Sequence, residues 1–156
     1  MADNAKTDQI QDTGIIRLED FVSFYNSLNA NNLTALSQIY HPQVVFCDPV
    51  HRVEGLPALH EYFAHAYARL TESHFNALNM AANGQKGFVS WQMRIRHPAI
   101  AQGNAIFVDG CSELRWHEDG RIIAHRDYYD LTQMIYQHLP VIGWLTGKVK
   151  QQMAKE

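Results

Sequence analysis

Val44-Val45-Phe46-Cys47-Asp48-Pro49-Val50 is an apolar, β-branched run that ends in a carboxylate. Strand alternation puts Val44, Phe46 and Asp48 on one face, so Asp48 shares its face with core-type residues. Two readings are open. A desolvated carboxylate has a raised pKa and can take a proton near neutrality, which makes Asp48 a candidate general base on a pocket wall. Alternatively, Asp48 opens a turn before Pro49, for which Asp is a preferred type.

Upstream of this strand, Leu18, Phe21, Val22, Tyr25 and Leu28 follow helical spacing and form a one-sided apolar stripe. Asn31 or Asn32 can cap a second short helix carrying Leu33, Leu36 and Ile39, which stops before Pro42. Downstream, Gly55-Leu56-Pro57 opens a third helix, with Pro57 suited to the first helical position. Strands then dominate. Residues 73–82 and 87–97 flank a hairpin turn at Asn83-Gly84, and Val89, Trp91, Met93 and Ile95 alternate with polar residues. Residues 103–116 and 121–131 pair across the turn His117-Glu118-Asp119-Gly120. Three helices followed by a curved antiparallel sheet make an α+β fold, a cone-shaped barrel that can hold a ligand between helix layer and sheet.

The 156 residues suit one domain, with no repeat or linker that would split it. A net charge of −3 and no basic, base-stacking stripe argue against nucleic acid. Cys47 and Cys111 have no paired spacing and read as reduced, buried, small apolar residues of a cytoplasmic protein. Residues 1–16 are polar and read as a flexible tail, with the cone domain at 17–131. Residues 132–156 form a further unit. There Ile135, Tyr136, Leu139, Val141, Ile142, Trp144, Leu145 and Val149 are interrupted by Pro140, Gly143 and Gly147 and joined by Lys148, Lys150 and Lys155. This segment reads as a tail helix that caps the cone or packs on a partner, or as an interfacial helix on anionic lipid. No apolar stretch approaches the ~20 residues of a membrane span.

The order of elements, the segment from Leu28-Asn29-Ala30-Asn31-Asn32-Leu33 to Phe46-Cys47-Asp48-Pro49-Val50, and the hairpin Leu114 to Ile123 resemble the nuclear transport factor two-like superfamily. This is the cone fold of ketosteroid isomerase, SnoaL-like cyclases and limonene epoxide hydrolase. The resemblance spans residues 17–131 and implies that Asp48 matches the isomerase's proton-moving aspartate. It also implies that the two oxyanion donors of the isomerase fall at Phe24 and Ser112, neither of which is the family's group. Such donors are each worth about two to three orders of magnitude in rate, so steroid isomerisation is not expected. SnoaL-like cyclases use an aspartate of the last strand with a nearby histidine as an acid/base pair, and Asp127 with His125 is similar in kind. His125, Asp127 and Tyr129 alternate and share a face, with about 7 Å between the first two along the strand. The alternative is that Arg126, Asp127 and Asp130 serve ion pairs at a dimer face.

No Cys-x-x-Cys or His-x-x-x-His pair, Gly-rich phosphate loop or Gly-x-Ser-x-Gly elbow is present, so neither a metal nor a cofactor is expected. The resulting expectation is a homodimeric cone that takes a small hydrophobic molecule. Asp48, Asp127 and His125 would do acid/base chemistry of the isomerase, cyclase, dehydratase or epoxide-hydrolase type. The two carboxylates would face each other across the cone with their pKa values pushed apart. Phe24, Tyr25, Trp91, Met93, Ser112, Leu114 and Tyr129 would contact the ligand. The competing class is a non-catalytic ligand-, lipid- or partner-binding module, with residues 133–156 docking on a membrane or another protein.

Overall fold

A computed structural model describes residues 2–154, with side chains from residue 13 onward. Helix α1 spans Ala2–Ser27. It buries Leu18, Phe21 and Tyr25, and Leu28 just beyond its end, while Val22 sits half-buried at the edge of the stripe. The helix already includes residues 2–16, where the sequence reads as a polar tail, and a Cβ on Gly14 would collide with the Ala82 side chain. The side chains of residues 1–12 and the whole of Lys155 lie outside the described residues.

A 3₁₀ turn over Leu33–Ala35 runs into the four-residue helix α2, Leu36–Ile39. Asn32 does not cap it with its side chain. Instead its Oδ1 accepts the Asn29 N–H at 2.7 Å. Strand β1 covers Tyr40–Cys47, and the three-residue β2, Arg52–Glu54, pairs with it. Helix α3, Leu56–Tyr67, starts at Gly55, whose φ of 84° only glycine adopts freely, and carries proline in its first turn. It buries Leu59, Phe63 and Tyr67.

Strands β3 (Glu72–Asn83), β4 (Lys86–Arg96), β5 (Ile106–Trp116) and β6 (Ile122–Tyr129) complete a six-stranded sheet of order β2-β1-β6-β5-β4-β3. The β3–β4 loop is Gly84-Gln85, one residue later than Asn83-Gly84, with positive φ at Gly84 as a II′ turn requires. All pairings are antiparallel except β1 with β6, which is parallel. That one pairing lays the run ending at Asp48 beside the run that carries His125 and Asp127. Val89, Trp91, Met93 and Ile95 turn inward from β4, and Val108 and Leu114 from β5, against Leu18, Phe21 and Tyr25. Each large side chain buried this way stabilises the fold by roughly 1.5–3 kcal/mol. Asn26 ties α1 to the edge strand, giving its amide to Phe75 O at 2.9 Å and accepting Phe75 N–H at 2.7 Å.

After β6 the chain forms helix α4 (Leu131–Met134), a 3₁₀ turn (Tyr136–His138) and helix α5 (Pro140–Met153). Asp130 caps α4 by accepting Thr132 N–H at 2.7 Å.

Candidate functional site

The alternation of β6 sends His125 and Asp127 inward, and here two residues of one strand touch. His125 Nε2 lies 2.8 Å from Asp127 Oδ1, with the imidazole fully buried and the carboxyl 17% exposed. The separation expected from strand rise is closed by the side chains leaning together. Ser112, directly opposite Asp127 in the β5–β6 register, donates its hydroxyl to the same Oδ1 at 2.5 Å. Trp91 Nε1 donates in turn to Ser112 Oγ at 2.9 Å. On the other side His125 Nδ1 meets Tyr40 OH at 2.6 Å, and Tyr40 OH meets Tyr25 OH at 2.5 Å.

One assignment of protons satisfies the whole chain. Tyr25 donates to Tyr40, Tyr40 donates to Nδ1 of a neutral imidazole, and His125 Nε2–H donates to Asp127. Every donor then points toward Asp127. Burial pushes the Tyr25 hydroxyl well above its ordinary pKa, and the neighbouring Tyr40 and Asp127 push it further. Burial does the same to Tyr40, against the opposing effect of its bond with Tyr25. The two phenols therefore stay protonated. Phe46 and Phe21 pack edge-on against the imidazole with centroids 5.0 and 5.3 Å away, so the ring cannot rotate freely.

Asp48 behaves differently from the sequence expectation. Its side chain is 2% exposed. Oδ1 accepts Val50 N–H at 2.7 Å and His51 N–H at 2.5 Å, which is the turn-opening role. Oδ2 accepts the Tyr62 hydroxyl at 2.5 Å and lies 3.5 Å from that of Tyr129. Burial raises the Asp48 pKa, but the bonds from Tyr62, His51 and Val50 and the His51 imidazole together outweigh it. The net shift is downward. Asp48 is thus an ionised carboxylate, not the proton-holding group that its apolar neighbours imply. Burial and the Asp48 charge hold Tyr62 far above its ordinary pKa. Burial and the Asp48 and Asp127 charges do the same to Tyr129.

A cavity of about 210 Å³ opens between α1, α3 and the sheet, and its walls are mostly aromatic and aliphatic. Asp127 lines it together with four expected ligand contacts, Tyr25, Trp91, Met93 and Tyr129. Asp48 does not line it, because Tyr62 and Tyr129 stand between. Of the remaining expected contacts, Phe24 packs partly buried with its ring edge-on to Tyr25, Leu114 is fully buried opposite His125, and Ser112 sits behind Asp127. Asp127 faces the cavity and pairs with His125. Arg126 lies over the Tyr128 ring, 5.0 Å from its centroid.

Sequence reasoning missed Tyr40, Tyr62 and the indole N–H of Trp91. Tyr40 was within reach, since it lies an even number of residues before Val44, Phe46 and Asp48. Ending the helix at Pro42 hid it. Tyr62 carries no local signal. Away from the cavity, His41, His117 and Asp119 bring one ligand atom each within 4.8 Å of one another. Both Asp119 oxygens are already committed, Oδ2 to the Arg121 guanidinium at 2.6 and 2.9 Å and Oδ1 to Arg121 N–H at 3.0 Å. The cluster is therefore an ion-paired turn rather than a set of open ligands.

The SnoaL-like domain family matches residues 21–125, and the chain belongs to that family. No curated protein matches the sequence. Among solved structures, it is similar to a protein from Shewanella denitrificans named as a SnoaL-like polyketide cyclase, with 19% identity and a TM-score of 0.66. That match covers 76% of this chain and 93% of the other. An epoxide hydrolase of the limonene-epoxide-hydrolase-like type from M. tuberculosis is 17% identical with a TM-score of 0.62, covering 80% and 87%. TerC, solved with polyporic acid, is 13% identical with a TM-score of 0.64, covering 78% and 94%. At these identities the likeness shows the α+β cone fold.

Proposed function

We propose that this member of the SnoaL-like family is an acid/base enzyme acting on a small hydrophobic molecule held in the cavity, with Asp127 as the proton-transfer group. One observation carries this reading. Asp127 Oδ1 is fixed by Ser112 and His125, while Oδ2 has no hydrogen-bond partner among the described residues of a cavity-lining side chain. A carboxylate pinned by one oxygen and open at the other is oriented to take a proton from a carbon acid, or from an attacking hydroxyl, and to return it later in the cycle. His125 is a positioning residue. Its Nε2–H holds the carboxylate, and Tyr40 fixes its tautomer. Tyr129 sits on the cavity wall with its hydroxyl only loosely placed near Asp48, so it is the group free to donate to a developing substrate oxyanion. Cyclisation or isomerisation through an enolate suits this arrangement better than epoxide opening, since one carboxylate is open and no second one among the described residues lines the cavity.

Native mass spectrometry of freshly purified protein identifies a retained ligand, and turnover of that ligand then tests the assignment. Asp127→Asn is expected to lower kcat by about 10²–10⁴-fold, the usual worth of a general acid/base, while ligand binding persists. Unchanged turnover in Asp127→Asn would overturn the reading. A ligand that is bound and never converted by the unmodified protein would assign the cavity to storage or transport instead. The homodimer remains part of the proposal. Phe88, Phe107 and Tyr128 stand exposed on the outer sheet face, and light scattering of the purified chain checks its mass in solution.

A further inference from the structure

Helix α5 turns the wrong way round for a helix that merely packs on its own domain. Val141, Leu145, Val149 and Met153 recur every four residues and make one row, 76%, 56%, 51% and 73% exposed, with Ile142 beside it at 44%. The opposite side is small or polar, and what it meets is the chain just before it. A Cβ on Gly143 would collide with the Gln137 carbonyl, and Lys150 Nζ reaches Asp130 Oδ2 at 3.6 Å. A surface helix ordinarily buries its apolar stripe and exposes the polar one. Here the stripe is left for something outside the domain.

Charge selects what that is. Residues 131–154 contain Lys148 and Lys150 and no carboxylate, in a chain whose net charge is −3. Lys148 flanks the apolar row, while Lys150 turns back to Asp130. Trp144, 62% exposed, lies on the Lys148 side with the ammonium 4.3 Å from its ring centroid. Apolar side chains, a flanking lysine and an indole at the boundary are the parts of a helix that lies in a lipid interface. No helix of the described residues is long and apolar enough to cross a membrane. We infer that α5 is a docking helix for an anionic lipid surface, lying in the plane of the headgroups with Val141, Leu145 and Val149 inserted. Upstream of α5, Met134 of α4 lines the cavity. The docking does not depend on whether Asp127 is catalytic.

Flotation of the full chain with phosphatidylcholine vesicles, with and without phosphatidylglycerol, tests this. Binding is expected only with phosphatidylglycerol and is expected to fall as salt is raised. Lys148→Gln is expected to weaken it about fivefold, at about tenfold per 1.4 kcal/mol and ~1 kcal/mol per lysine. Val141→Ser, Leu145→Ser and Val149→Ser together are expected to abolish it. All three side chains are exposed, so unchanged thermal unfolding and ligand retention serve as controls. No flotation of the unmodified chain, or equal flotation of the triple-serine variant, overturns the inference. So does a light-scattering mass that drops from dimer to monomer in the triple variant without any flotation, which would assign the row to a second copy.

Discussion

Replacing Asp48 by Asn separates the two roles that its position allows. The side chain keeps its shape, and the amide Oδ1 can still accept Val50 N–H and His51 N–H, now at 2.7 and 2.5 Å. The other position becomes an NH₂ facing the Tyr62 hydroxyl, which now donates to Oδ2 at 2.5 Å. Tyr62 must turn its hydrogen away and accept instead. A charge-assisted bond worth about 1.5–3 kcal/mol becomes a neutral one worth about 0.5–1.5, so unfolding free energy near neutral pH should drop by about 1–2 kcal/mol. The sign with pH follows from the downward shift of Asp48. Its folded pKa lies below its unfolded one. The ionised carboxylate therefore contributes its stability above the unfolded value, near 4, and loses it as pH falls through the lower folded value. The gap between Asp48→Asn and the unmodified protein should close in acid. Urea unfolding followed by tryptophan fluorescence at about pH 7 and about pH 3 measures both ends. A proton-holding Asp48 with a raised pKa predicts the reverse. Its charge would be a burden at neutral pH, and Asn would stabilise. A stabilised Asn variant, or a gap that does not shrink in acid, refutes the structural role argued above.

Further outcomes follow from the same packing. Gly110 lies directly opposite Trp91 in the β4–β5 register, and a Cβ there would overlap the indole, with Cζ2 at 2.6 Å. Gly110→Ala should cost about 1–3 kcal/mol and swing the indole off Ser112 into the cavity, read as a changed tryptophan emission together with weaker ligand retention. Tyr40→Phe removes the hydroxyl between Tyr25 and His125 and leaves two buried polar groups unpaired, whereas Tyr25→Phe removes only the donor at the end of the chain. Tyr40→Phe should therefore destabilise by about 1–3 kcal/mol and by more than Tyr25→Phe in chemical denaturation. Ring-nitrogen NMR shifts of His125 should move more in Tyr40→Phe, which frees Nδ1, than in Tyr25→Phe.

The helices and strands were legible because their signals are local. The stripe Leu18 to Leu28, the proline-opened α3 and the alternation of β4 each lie within a dozen residues, and all three formed as expected. The site was legible only where its members share a strand. His125 and Asp127 are two residues apart, so alternation put them together. Tyr40 and His125 are 85 apart, and Asp48 and Tyr62 are on different elements, so only the fold joins them. The resemblance set Phe24 where the isomerase has its hydroxyl. In the structure it is Tyr25 that faces the cavity and reaches Tyr40, because the buried row of α1 runs through Leu18, Phe21 and Tyr25. Alternation also gave the burial of Asp48 correctly and its pKa incorrectly. Periodicity reports which face a side chain occupies, not how many donors meet it there.

Counting donors decides which carboxylate can act. A carboxylate has about four lone-pair sites, two on each oxygen. At Asp48 all four are met, by Val50 N–H and His51 N–H on Oδ1 and by Tyr62 and, more weakly, Tyr129 on Oδ2. To take a proton, Asp48 would have to give up one of these bonds, and its lowered pKa measures how strongly they favour the ionised form. At Asp127 the two sites of Oδ1 are met by Ser112 and His125, and none of those of Oδ2 is met by a described residue. Tyr129 feels the charge of both aspartates but bonds only to Asp48. Its bond to Asp48 is the longest of the four, so it is the one that a ligand can draw away at least cost. A substrate whose oxygen takes the Tyr129 hydroxyl while its acidic hydrogen meets Asp127 Oδ2 would use two polar groups of the wall that have capacity to spare. Asp48 would stay as the fixed negative charge that keeps Tyr62 in place.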